Sequence, residues 1–110
     1  MKTVYLFVAL LLTIAKISAQ SETTTVKFKV LGNCEMCKKT IENSLAIKGV
    51  KSANWNQETK MIQVVYSNSK ISELKIHESI AAAGYETEKM KASTKAYADL
   101  PECCQYSQSK

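Results

Sequence analysis

The sequence contains no arginine. Its fifteen basic side chains are all lysines, scattered along the chain against ten Asp and Glu, for a formal charge of +5. Recognition of nucleic acid leans on arginine forks and on clustered positive charge. That class of partner is therefore not expected, and the lysines read as a solvated surface. Proline occurs once, at Pro101, and histidine once, at His77. His77 falls mid-helix beside Glu78, far along the chain from any cysteine, and reads as an exposed helical residue. No general base, paired nucleophile or cofactor loop can be assembled from the residues present. An enzyme is not expected.

What is present starts at the N-terminus. Lys2 precedes an apolar run from Val4 to Ile14, and Ile17-Ser18-Ala19 brings small residues up to a cleavage point after Ala19. This is the pattern of a secretory signal peptide. A spanning helix needs about 20 apolar residues, and Lys16 interrupts this run, so no membrane span is expected once the signal is removed. The chain of 110 residues divides into a signal at 1–19, one domain at 20–91 and a C-terminal tail at 92–110, with a secreted or periplasmic location. Its four cysteines come as two close pairs, Cys34 with Cys37 and Cys103 with Cys104. In an exported chain, cysteines usually mean disulfides. Neighbours such as Cys103 and Cys104 close only a strained ring, while cross-links between the pairs are possible.

Val30 to Ile41 reads as the end of a strand, a short loop and the first turns of a helix, with Cys34 and Cys37 where loop becomes helix. A helix N-terminus favours a thiolate through its free N–H groups and its dipole. Deprotonated sulfur binds soft metals such as Cu(I), and zinc also accepts it. The two-residue gap lets both sulfurs face one point. Redox motifs share this spacing, which makes a thiol–disulfide oxidoreductase the competing reading. Enzymes of the thioredoxin type place a cis-proline beside the motif, however, and Pro101 lies in the tail.

Around that motif the elements follow in order. Thr24–Leu31 alternates, with Val26, Phe28 and Val30 on one side, as a half-buried strand. A helix is expected from about Met36 to Lys48, carrying Ile41 and Leu45 and stopped by Gly49. Val50–Asn56 and Met61–Tyr66 form a hairpin, with Trp55 half-buried on the sheet. A second helix runs from about Lys70 to Ala83 with Ile71, Leu74, Ile80 and Ala81 apolar, ended by Gly84. Tyr85–Met90 is a weaker fourth strand. The class is α+β, a βαββαβ sandwich with one four-stranded antiparallel sheet and both helices on one face. Met61 and Met90 read as packing residues. Lys38 and Lys39 are solvated lysines, or charges that offset a thiolate pair and help dock an acidic partner.

The cysteine loop, its helix, Gly49-Val50, the hairpin and Ala83-Gly84-Tyr85 together resemble the heavy-metal-associated domain, over roughly residues 24–91. That family includes copper chaperones, modules of copper-exporting ATPases and a periplasmic mercury-binding protein. The resemblance implies a ferredoxin-like fold and makes Cys34 and Cys37 the metal ligands. It puts Tyr85 where bacterial copper chaperones place a tyrosine close to the metal. It implies a metallochaperone with Cu(I) as cargo, Hg(II) or Zn(II) as alternatives, and a second cysteine-bearing metal protein or membrane metal transporter as partner. Family members usually carry a methionine two residues before the first cysteine, packed under the loop. Gly32 stands there in this chain, which predicts a looser loop. Cys103 and Cys104 lie outside the family pattern and are possible accessory ligands, brought to the ion by a flexible arm.

Overall fold

The computed structural model describes residues 22–109, so the expected signal peptide lies outside the described residues. Three strands form an antiparallel sheet in the order β1-β3-β2: β1 Thr23–Lys29, β2 Val50–Trp55 and β3 Met61–Ser67. Two helices, α1 Glu35–Ser44 and α2 Glu73–Ala82, follow β1 and β3 in turn. Side chains alternate across a strand, and the buried set Phe28, Val30, Ile62, Val64 and Tyr66 takes one side of the sheet. Ile41 and Leu45 of α1 and Ile76 and Ile80 of α2 close over it in one core. No helix among the described residues is long and apolar enough to cross a membrane.

The expected fourth strand is reduced to a single bridge. Val30 pairs antiparallel with Thr87, the Leu31 N–H donates to the Glu86 carbonyl at 2.9 Å, and the Glu88 N–H donates to the Lys29 carbonyl at 3.2 Å. Beyond that point the chain curls. The Thr87 hydroxyl accepts from the N–H groups of Lys89 at 3.2 Å and Met90 at 3.1 Å. Such local side-chain bonding offers the backbone an alternative to a ladder, and it ends the pairing after one residue. The sheet therefore has three strands, not four.

Two burial expectations are also corrected. His77 is wholly buried, while Leu74 of the same helix stands exposed. The face of α2 that meets the sheet is Ile76, His77, Ile80 and Ala81. Imidazole fits there because its ring stacks on Phe28 with centroids 3.9 Å apart and its Nδ1 lies 2.6 Å from the Thr87 hydroxyl. Nε2 has a Glu73 carboxylate oxygen at 3.3 Å, without hydrogen-bond alignment. Burial pushes the His77 pKa below its usual value, and Glu73 opposes the shift.

Trp55, expected half-buried, is entirely enclosed. Its indole N–H donates to the Val30 carbonyl at 3.0 Å, and the far edge of its ring lies under Gly32. A Cβ on Gly32 would stand 3.0 Å from that ring and 3.3 Å from Ile41. The space beside Gly32, where the resemblance implies a packed methionine, is filled here by tryptophan from β2, on the far side of β3. The looser loop predicted from Gly32 is thus replaced by a packed floor.

Two tests follow from this packing. Gly32→Ala should lower stability by about 1–3 kcal/mol, the usual cost of overpacking a filled core, read as the denaturant midpoint. An unchanged midpoint would mean that Trp55 has room to move. For His77, the unfolded chain binds the extra proton more readily than the folded one. The stability from neutral His77 is therefore complete above its ordinary pKa of 6.5 and is lost as the pH falls below it. Unfolding followed at pH 7 and pH 5 should show this loss, and His77→Phe should flatten the slope. Glu73, held low chiefly by Lys89, adds its own loss only in more acidic solution.

Candidate metal centre

Cys34 is the N-cap of α1, with extended backbone (φ −126°, ψ 177°) and no side-chain capping bond. Its carbonyl takes the Lys38 N–H at 3.1 Å and starts the ladder. Cys37 lies one turn in and is fully buried, with the Asn33 N–H directed at its sulfur at 3.5 Å. The two sulfurs are 3.5 Å apart. Below them is the Trp55 floor; beside them, the Gln57 amide donates to the Asn33 carbonyl at 3.0 Å and braces the loop. Met36, between the cysteines, points outward and is exposed.

Lys38 is not a free surface charge. Its ammonium donates to Glu42 at 2.6 Å, Asn54 at 2.9 Å and the Trp55 carbonyl at 2.8 Å. Glu42 in turn accepts the Trp55 N–H at 2.8 Å, so this ion pair pins α1 to β2. Lys39 remains exposed.

The tail, whose sequence shows periodicity only over the short stretch Thr94–Leu100, is ordered. A short helix, α3 Thr94–Ala98, is capped by Ser93, and a 3-10 turn occupies Glu102–Cys104 after Pro101. This turn brings both tail cysteines to the loop pair: Cys34 Sγ lies 3.3 Å from Cys103 Sγ and 3.7 Å from Cys104 Sγ. Cys34, Cys37 and Cys104 have their sulfurs all within 4.8 Å of one another. All four cysteines are free thiols in the structure, Cys103 exposed and Cys104 buried.

Charge concentrates on one sulfur. The Cys37 backbone N–H, then the Cys103 thiol, bring the Cys34 pKa down to about 6. The Cys103 thiol is held up, first by its contact with Cys34. Burial raises that of Cys104. The cluster thus offers one thiolate beside two tail thiols that hold their protons, and binding of a metal to a tail thiol would release its proton. Tyr85 is fully buried, its hydroxyl has no hydrogen-bond partner, and Cys104 and Cys37 are among the groups that act on it after burial itself. Tyr85 is therefore placed beside the sulfurs. His77 is not among the residues that form this cluster.

The sulfur spacing suits an ion. With metal–sulfur bonds of about 2.3 Å, three sulfurs around one ion stand roughly 4.0 Å apart and four roughly 3.8 Å. The contacts of 3.3–3.7 Å around Cys34 need to open by only a few tenths of an ångström.

Comparison with known proteins agrees with this geometry. Residues 33–86 match the heavy-metal-associated domain. A zinc-transporting ATPase from Synechocystis is 40% identical over 62 residues, which is 56% of this chain and 9% of that protein. The chain thus spans less than a tenth of the transporter. The copper chaperone CopZ from Staphylococcus epidermidis is 34% identical over 55 residues, 49% of this chain and 81% of the chaperone. Among solved structures, oxidized MerP from Ralstonia metallidurans CH34 superposes with a TM-score of 0.58 at 29% identity, covering 61% of this chain and 96% of that one. The tail cysteines lie outside the matched span. With its ferredoxin-like fold and its cysteine loop at the start of α1, the chain belongs to the heavy-metal-associated domain family.

Proposed function

We propose that the protein is an exported carrier of a soft metal ion, with Cu(I) as its cargo and Cys34 and Cys37 as the ligands. The observation that carries this reading is the pair of sulfurs 3.5 Å apart at the mouth of α1, one of them poised as a thiolate. Thiolate selects soft ions, and the similarity to a copper chaperone supports copper ahead of the alternatives. Zn(II) and Hg(II) are the other candidate cargoes. Export rests on the signal-like segment 1–19 of the sequence, with a mature chain beginning at Gln20 in a periplasmic or extracellular space.

The site performs carriage by remaining partly open. Cys34 is only half-buried, so a partner's thiolate can approach the ion bound there. It adds to the ion, and a sulfur of this chain then leaves. The ion passes between proteins without ever being released to water. The partner is another cysteine-bearing metal protein or a membrane metal transporter, a reading consistent with the likeness to a module of a transporting ATPase. Exposed Lys39 beside the loop would favour an acidic docking face. Carriage requires no bond-making beyond ligand exchange, and no catalytic step is assigned.

Anaerobic titration of the reduced chain with Cu(I), against a chromophoric competitor, tests the reading. The wild type should take up copper, and Cys34→Ser should bind at least about 10-fold more weakly, the scale on which changes at a metal site are felt. Equal binding by the two proteins would remove the site. Insulin reduction by the metal-free protein would instead favour the oxidoreductase.

A further inference from the structure

Residues 92–109 do more than trail from the domain. The glycine that ends α2, Gly84, has φ of 103°, and its N–H and that of Tyr85 donate to the Ala81 and Ile80 carbonyls at 3.1 and 3.3 Å. This is a Schellman cap, which glycine alone adopts without strain. The absent side chain has a second consequence. A Cβ on Gly84 would stand 3.0 Å from the Ala96 backbone, so α3 packs directly on the bare cap. The Ser93 N–H donates to the Ala81 carbonyl at 3.0 Å and ties the start of α3 to the end of α2.

The tail is then anchored at its far end by Tyr106. This ring is buried. Its hydroxyl donates to the Gly84 carbonyl and accepts the Glu86 N–H, both at 2.8 Å. It stacks near Tyr85, with centroids 5.9 Å apart, and meets the edge of Tyr97 at 5.0 Å. Between these two anchors the 3-10 turn sets Cys104 into the protein with 0% exposure. A buried cysteine serves most often as a small apolar residue. This one differs, because its sulfur lies 3.7 Å from the low-pKa Cys34. The unpartnered Tyr85 hydroxyl also lies buried beside it.

From this arrangement we propose that Cys104 is a third ligand to the ion bound by Cys34 and Cys37, and that the tail is a clasp that closes the site. The proposal rests on the metal-carrier reading of the loop pair. Bond lengths favour it. Two sulfurs on opposite sides of one ion stand roughly 4.6 Å apart, and three around it roughly 4.0 Å. Cys34 and Cys37, at 3.5 Å, must open by about 1 Å for the first geometry and by about half that for the second. The three sulfurs already lie within 4.8 Å of one another. A thiolate at Cys104 also gives the Tyr85 hydroxyl an acceptor. During transfer, the incoming thiolate of a partner takes the place of Cys104 on the ion, so the tail must yield before the cargo leaves. Exposed Cys103, 3.3 Å from Cys34, lies on the solvent side of the cluster, where such a thiol would arrive.

X-ray absorption at the copper edge, on the reduced chain loaded with one equivalent of Cu(I), counts the sulfur neighbours. Wild type and Cys103→Ala should show three. Cys104→Ala keeps a small apolar group in the pocket and Cys104→Ser keeps a polar one; both should show two, with copper retention against a chelator weakened about 10-fold or more. Two sulfurs in the wild type, or an unchanged count and retention in both Cys104 variants, would overturn the clasp. If Cys34→Ala abolishes binding while the Cys104 variants do not change it, only the clasp fails. If Cys34→Ala binds like the wild type, the carrier reading fails with it.

Discussion

The position of the two loop sulfurs depends on the packing beneath them. The Trp55 ring under Gly32 fixes the height of the loop, and its N–H bond to Val30 fixes the strand from which the loop departs. The Lys38–Glu42 pair, bonded to both the carbonyl and the N–H of Trp55, sets α1 against the same residue. Strand, loop and helix therefore meet at one side chain. With those three elements held, Cys34 at the cap and Cys37 one turn later must converge, because a helix brings neighbouring turns onto one face.

On that floor the electrostatics follow from position. The half-exposed cap sulfur lies near the Cys37 N–H and carries charge easily, whereas the enclosed tail thiol resists it. An entering cation changes this balance for every sulfur at once, since ligation requires thiolate. In the proposed site, charge on the open member would provide a first point of attachment and the buried members would add sulfur contacts. The half-exposed Cys34 would leave the ion open to a competing thiol.

Much of this was legible in the chain itself. The alternation of Val26, Phe28 and Val30 gave β1, Gly84 marked the end of α2, and the cysteine spacing pointed to the loop, whereas α1 ends at Ser44, ahead of the stop expected at Gly49. What escaped sequence reasoning depends on side-chain contacts that periodicity does not register, several of them between residues far apart in the chain. His77 looks like a surface residue until Phe28 and Thr87 close on it. Thr87 looks like strand until its hydroxyl caps its own turn. Gly32 looks like a lost packing residue because its substitute, Trp55, comes from another strand. The tail shows periodicity only over Thr94–Leu100, where α3 forms; the rest is held by individual tyrosine and backbone bonds, not by an amphipathic face. Its two adjacent cysteines were a further signal, and the buried Tyr106 that positions them offered none.

The central claim is that these thiols exist to hold one soft ion. Isolation of the protein from its own source under strictly anaerobic conditions, followed by native mass spectrometry with elemental analysis, tests it most directly. The account predicts one copper ion per folded chain and four reduced cysteines. A metal-free chain with Cys34 and Cys37 joined in a disulfide would contradict it.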